Sequence, residues 1–153
     1  MSEHRAIIHW QRSEGDFPKG KFSREHTWTF DGGAVVPASA APSVVPPPLS
    51  NPAGVDPEEA FVASLSSCHM LTFLYLASRR GFQVDRYDDE AVGAMEKTDK
   101  GVPWVASVTL HPKIVFSGPK LPLPTELEML HHQAHEQCFI ANSVKTLVTV
   151  DIR

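Results

Sequence analysis

Between Asp56 and Arg79 the chain runs DPEEAFVASLSSCHMLTFLYLASR, and no other stretch restricts the fold so tightly. Its two ends read as helix ends. Asp56 can accept from the free backbone N–H groups of a first turn, Pro57 has the φ of a first helical position, and Glu58 and Glu59 put negative charge where the helix dipole favours it. Arg79 and Arg80 stand in the last turn, with Gly81 behind them as a left-handed cap. From Phe61 to Ala77 there is no formal charge, and only Ser, Thr, Cys, His and Tyr interrupt the apolar run. A helix apolar nearly all round belongs in a core. The breaks at Ser64, Ser66, Ser67 and His69 fit a buried central helix better than a membrane span.

A chain of 153 residues, 42% hydrophobic and 21% charged, suits one globular domain, 1–153, with a core of its own. The net charge is −4 and no Lys/Arg run stands out, so neither nucleic acid nor an anionic membrane is an expected partner. The opening MSEHRAIIHWQRSEG has no apolar core of a signal peptide, which makes a cytoplasmic address the expectation. In that compartment the two cysteines, Cys68 and Cys138, suit a transient redox pair or metal ligation better than a permanent staple.

The flanking segments supply sheet and a second helix. Arg5–Arg12 and the run KFSREHTWTF read as a hairpin joined through Glu14–Gly20, with Arg24 and His26 on one face, and Asp31-Gly32-Gly33 turns the chain. Residues 34–55 are rich in Ala, Ser, Val and Pro; they read as an ordered crossing loop or edge strand, with disorder as the competing reading. After Gly81 come QVDRYDDEAVGAMEK and then WVASVTLHPKIVFSG, the clearest strand signal. A Pro-rich turn precedes a second helix, whose Thr125 and Glu128 have capping-box spacing and whose Leu127, Leu130, His131, Ala134 and Cys138 recur at helical steps. Thr146–Arg153 alternates as a final strand. Strand–strand–helix–strand–strand–helix–strand is an α+β order with antiparallel hairpins at both ends. One copy of so small a sheet would struggle to enclose the long helix, so a homodimer is expected.

Cys68 alone admits a plain reading as a small core hydrophobe, made inert by burial. Taken together, DPEEAFVASLSSCHM and HEQCFIANSVK resemble the OsmC/Ohr family of thiol-dependent peroxidases. The shared features are an acidic helix start after a Pro/Gly loop, a cysteine ten residues past the first Glu, a charged strand ending in an acidic-Gly turn, and a second cysteine after His-Glu. The resemblance implies an intertwined homodimer with antiparallel sheets wrapped around long central helices. It implies that Cys68 attacks an organic hydroperoxide, that Cys138 resolves the sulfenic acid into a disulfide, and that an external dithiol reduces it, with no cofactor. It also assigns an activating Arg and Glu. Glu58 matches the carboxylate, and Arg24, nine residues before Gly33, matches the arginine, with Arg12, Lys19 and Lys21 as weaker candidates. Plain readings remain for both: Arg24 as a solvated strand residue and Glu58 as a helix-dipole partner. Ten residues of helix rise by about 15 Å, so if Glu58 and Cys68 serve one site, Glu58 comes from the partner chain.

His69-Met70 after the first cysteine, Phe139 after the second and the Pro-rich loop depart from the family's usual wording and point to a divergent branch. Two other function classes stay open. His131, His135 and Cys138 have the spacing of metal ligands on one helix face, with Cys68 as a fourth ligand. A non-catalytic small-molecule-binding module on the same fold is the other.

Overall fold

The computed structural model describes residues 1–152, and its contacts cluster in two compact units, Met1–Ala60 and Phe61–Arg153. In the first, β1 (Ala6–His9), β2 (His26–Phe30) and β3 (Val35–Ala38) form an antiparallel sheet in the order β1-β2-β3. The expected hairpin is present, with Ile8 opposite Trp28, but its second strand starts only at His26. Before it, residues 17–19 form a 3-10 turn whose Phe17 stacks on Phe22, their ring centroids 4.4 Å apart, while Trp10 meets both.

The segment 34–55 is an edge strand followed by an ordered crossing loop. Pro37 is tolerated in β3 because the strand lies at the sheet edge. Its carbonyl accepts from Val55 N–H at 3.0 Å, the Ser39 and Arg24 amides donate to Val55 and Leu49 carbonyls, and the buried Ser39 hydroxyl accepts from Asn51 N–H. Bonds of this kind satisfy the backbone of a loop too rich in proline to form a ladder.

Helix α1 (Pro57–Arg79) is capped at both ends as its sequence dictates. Asp56 Oδ1 accepts from Glu59 N–H at 2.8 Å and Glu59 Oε2 accepts from Asp56 N–H at 3.1 Å, a reciprocal capping box. At the far end Phe82 N–H donates to Ala77 O and Gly81 N–H to Ser78 O, a Schellman motif that needs the left-handed φ of +79° at Gly81. Burial departs from the expectation of a helix enclosed all round. Only one stripe, Leu65, His69, Phe73 and Ala77, is buried, while Leu71 and Tyr75 remain 61% and 60% exposed.

In the second unit the two long runs each break in two. QVDRYDDEAVGAMEK becomes β4 (Gln83–Asp89) and β5 (Val92–Lys97), and WVASVTLHPKIVFSG becomes β6 (Pro103–Leu110) and β7 (Pro112–Ser117). The break lets β4 pair with β7 in one sheet and β5 with β6 in another. Asp89 fixes both corners, accepting from His111 N–H at 2.6 Å and from the Ser66 hydroxyl of α1. The final strand, β8 (Leu147–Val150), pairs with β6 in parallel rather than closing an antiparallel hairpin; the last residue of the expected strand lies outside the described residues.

Helix α2 (Pro124–Gln137) starts two residues earlier than its Thr125/Glu128 spacing suggests. Pro124 takes the first helical position, and Glu126 accepts from Leu123 N–H at 3.2 Å. Its Leu130 and Ala134 pack with Phe73, Ala77 and Phe82 in one core cluster, and Leu65, Val108, Leu110 and Val148 form a second.

Candidate active site

Cys68 lies at the middle of α1, half-buried, and Cys138 is the C-terminal cap residue of α2, 1% exposed. Seventy residues apart in sequence, the two free thiols are within hydrogen-bonding reach of each other. Burial, and then the hydrogen bond with Cys68, push the Cys138 thiol up to about 11; the amides of Ala141 and Ile140 act in the opposite direction. The Ala141 N–H lies 3.4 Å from Cys138 Sγ, and Asn142 Nδ2 donates to the Cys138 carbonyl at 2.9 Å, so the turn after α2 holds this cysteine by both its sulfur and its backbone.

Arg24 and Glu58 fall in the other unit. The Arg24 guanidinium lies over the Phe22 ring, 3.6 Å from its centroid, and donates to the carbonyls of Gly20 and Phe22. Arg24 and Glu58 of one chain make no ion pair with each other among the described residues. The Arg24 stem helps line a cleft of about 470 Å³ walled by Ile8, Trp10, Phe17, Phe22 and His26, and bordered by Pro57 at the start of α1. Trp28 Nε1 donates to His26 Nε2 at 3.0 Å, which leaves the His26 proton on Nδ1 for the Arg24 carbonyl at 2.7 Å. Aromatic walls were legible only as residue types in GDFPKGKF; the 3-10 turn that brings them together carries no periodicity.

The metal reading of His131, His135 and Cys138 is not supported. Among the described residues no group of three or more His, Cys, Asp or Glu side chains is gathered as a ligand set. His131 instead turns Nδ1 to His69 Nε2 at 3.0 Å, their rings tilted by only 4°, and packs on Phe73. Burial pushes both imidazoles down to about 4, helped at His69 by nearby His135, opposed there by Asp89, and helped at His131 by His69. His132 faces solvent, its Nε2 3.1 Å from Glu136 Oε1.

Residues 50–153 match the family model described as OsmC-like protein. The chain belongs to the OsmC-like family. An OsmC-like protein of unknown function from Vibrio cholerae O1 biovar eltor is 54% identical over the whole of both chains, with a TM-score of 0.97. An organic hydroperoxide resistance protein from Elizabethkingia anophelis is 17% identical, covering 100% of this chain and 98% of its own, with a TM-score of 0.71. A third neighbour, the organic hydroperoxide resistance protein OhrB of Bacillus subtilis, is 16% identical over 99% and 98% of the two chains, with a TM-score of 0.68. At such identities the last two establish a shared α+β fold. No curated protein sequence is significantly similar to this OsmC-like chain.

Proposed function

We propose that this OsmC-like protein is a thiol-dependent peroxidase that reduces organic hydroperoxides to alcohols. The observation that carries the reading is the meeting of Cys68 and Cys138 across α1 and α2. Cys68, the more accessible of the two, attacks the distal oxygen of ROOH as the thiolate, releasing ROH and leaving a sulfenic acid. Cys138 then attacks the Cys68 sulfur, the S–O bond breaks, water leaves and a disulfide forms, which an external dithiol reduces. Organic hydroperoxides, rather than hydrogen peroxide alone, suit the apolar walls around Arg24 and accord with the names of two structural neighbours. The cytoplasm, with its dithiol reductants, suits such a cycle.

Arg24 and Glu58 enter as the activating pair, the guanidinium favouring the Cys68 thiolate and the carboxylate orienting the guanidinium by charge-assisted bonds. The half-covered α1, with Leu71 and Tyr75 open to solvent, supports a homodimer in which a second copy covers that face and supplies Glu58. Stopped-flow oxidation of the reduced protein by an organic hydroperoxide and by hydrogen peroxide, with mass spectrometry for a Cys68–Cys138 disulfide, tests the proposal. Inert thiols under both oxidants would overturn it.

A further inference from the structure

Cys138 of the OsmC-like chain sits where a helix least favours a thiolate. It is the C-terminal cap residue of α2, at the end where a helix leaves its free carbonyls and the negative pole of its dipole, and it is 1% exposed. A thiol that resolves a sulfenic acid must still develop negative charge on its sulfur as it attacks. The groups that can offset this cost lie in the turn from Cys138 to Ser143, CFIANS.

Within that turn Ala141 N–H donates to Cys138 Sγ at 3.4 Å, and Ile140 N–H is a second donor to the same sulfur. Two features aim them. Ile140, Ala141 and Val144 pack against the cluster of Leu65, Val108, Leu110 and Val148, while Phe139 is turned outward, 82% exposed. Asn142 then ties the backbone down. Its Nδ2 donates to the Glu136 and Cys138 carbonyls, each at 2.9 Å, and its own N–H donates to the Cys138 carbonyl at 3.0 Å. Ser143 closes the turn, its N–H donating to Ile140 O at 2.9 Å and its hydroxyl to Phe139 O at 2.7 Å. An asparagine suits this position because its short amide carries two N–H donors, whereas an aspartate has none and would add negative charge beside the sulfur.

We propose that the Cys138–Ser143 turn is a thiolate cradle for the resolving cysteine, with Asn142 as the positioning residue that aims the Ile140 and Ala141 N–H groups at Cys138 Sγ. The inference rests on the thiol chemistry proposed above. In the resolving step the Cys138 S–H bond breaks, a Cys138–Cys68 S–S bond forms and the Cys68 S–O bond breaks. The Cys138 sulfur is oxidised as the Cys68 sulfur is reduced, and the Cys138 proton leaves with the departing hydroxide as water. Negative charge peaks on Cys138 Sγ between loss of the proton and formation of the new bond. Donors already fixed around the sulfur stabilise that charge without reorganising. The two amides act against the rise to about 11 that burial and then the Cys68 hydrogen bond impose on this thiol, and Cys68, from α1, is the titratable group facing it. Misaligned amides would therefore leave less thiolate at any given pH.

A disulfide reagent isolates the step without peroxide. With excess 5,5′-dithiobis(2-nitrobenzoate), Cys68 displaces one coloured thiolate, and Cys138 then displaces the second as it closes the disulfide. Asn142→Ala is expected to leave the first release unchanged and to slow the second about tenfold, with its rise toward alkaline pH moved about one pH unit higher. Asn142→Gln, which keeps the amide donors on a longer stem, should recover part of the rate. Glu126→Ala removes the cap at the opposite end of α2; it should lower the melting temperature yet leave both phases at wild-type rates. Should Asn142→Ala fail to fold, the donor itself can be deleted. A full-length chain joined at Cys138 by chemical ligation, with lactic acid in place of Ala141, lacks that one N–H and should show the same slow second phase against an identically joined natural chain. A second phase with the wild-type rate and pH profile in Asn142→Ala, or in the lactic acid chain, would overturn the cradle alone. Equal slowing of both phases would overturn it too, marking a loss of structure rather than of positioning. A wild type that releases no first thiolate would overturn the thiol reading and the cradle together.

Discussion

At the scale of single residues, the proposed chemistry gives attack to the half-buried Cys68 and resolution to the buried Cys138. Cys68→Ser is expected to abolish consumption of an organic hydroperoxide, and Cys138→Ser to allow one equivalent per chain before turnover stops, both read by a peroxide assay under dithiol. The buried imidazoles make a stability prediction whose sign is fixed. His69 and His131 are held at about 4 in the fold against about 6.5 in the unfolded chain. The unfolded chain therefore binds more protons between these values. Stability is full above about pH 6.5 and falls as pH drops toward 4, by an amount on the order of a few kcal/mol. Urea midpoints at about pH 7 and about pH 5 should differ in that direction, and a His69→Gln/His131→Asn double variant should flatten the difference.

At the scale of elements, α1 owes its limits to local chemistry and its place to packing. Asp56→Ala removes the acceptor for Glu59 N–H and should cost about 1 kcal/mol in a denaturation experiment. Phe73 is fully buried, touching Tyr87, Phe116 and His131, and Phe73→Ala should cost about 3–5 kcal/mol. Gly93 of β5 has a different constraint: a Cβ there would lie 2.6 Å from Val62 Cγ2, so Gly93→Ala should destabilise by about 1–3 kcal/mol through overpacking. Thermal melts of both variants measure these effects. The break of each long run into two strands falls at residues disfavoured inside a strand, Asp89-Glu90 in one and His111-Pro112 in the other. Which strands then pair does not follow from propensity within the runs. It follows from Asp89, whose carboxylate is used by α1 and by the β6–β7 corner at once.

At the scale of the whole molecule, α1 is long and apolar enough to cross a bilayer by composition, yet only 22% of its most apolar window is buried within the chain. A second copy laid on Leu71 and Tyr75 would bury that face without lipid. Sedimentation at micromolar concentration should give twice the chain mass, and Leu71→Glu/Tyr75→Glu should shift it toward the monomer and slow peroxide turnover, because Glu58 would then lose its place. A monomer with full turnover would exclude a Glu58 contribution from the partner.

The sequence alone determined what local chemistry dictates: both caps of α1, the left-handed turn at Gly81, the β1–β2 hairpin and the family, because each rests on residues adjacent along the chain or on a fixed motif. His69 could be read only as a histidine beside a thiol, and Phe17 and Phe22 only as aromatics near a turn. Long-range packing decided the rest. The meeting of Cys68 with Cys138, the facing of His69 and His131, the parallel docking of β8 and the open face of α1 all join segments distant in sequence. No periodicity encodes such pairings, because they are fixed by which buried surfaces fit together.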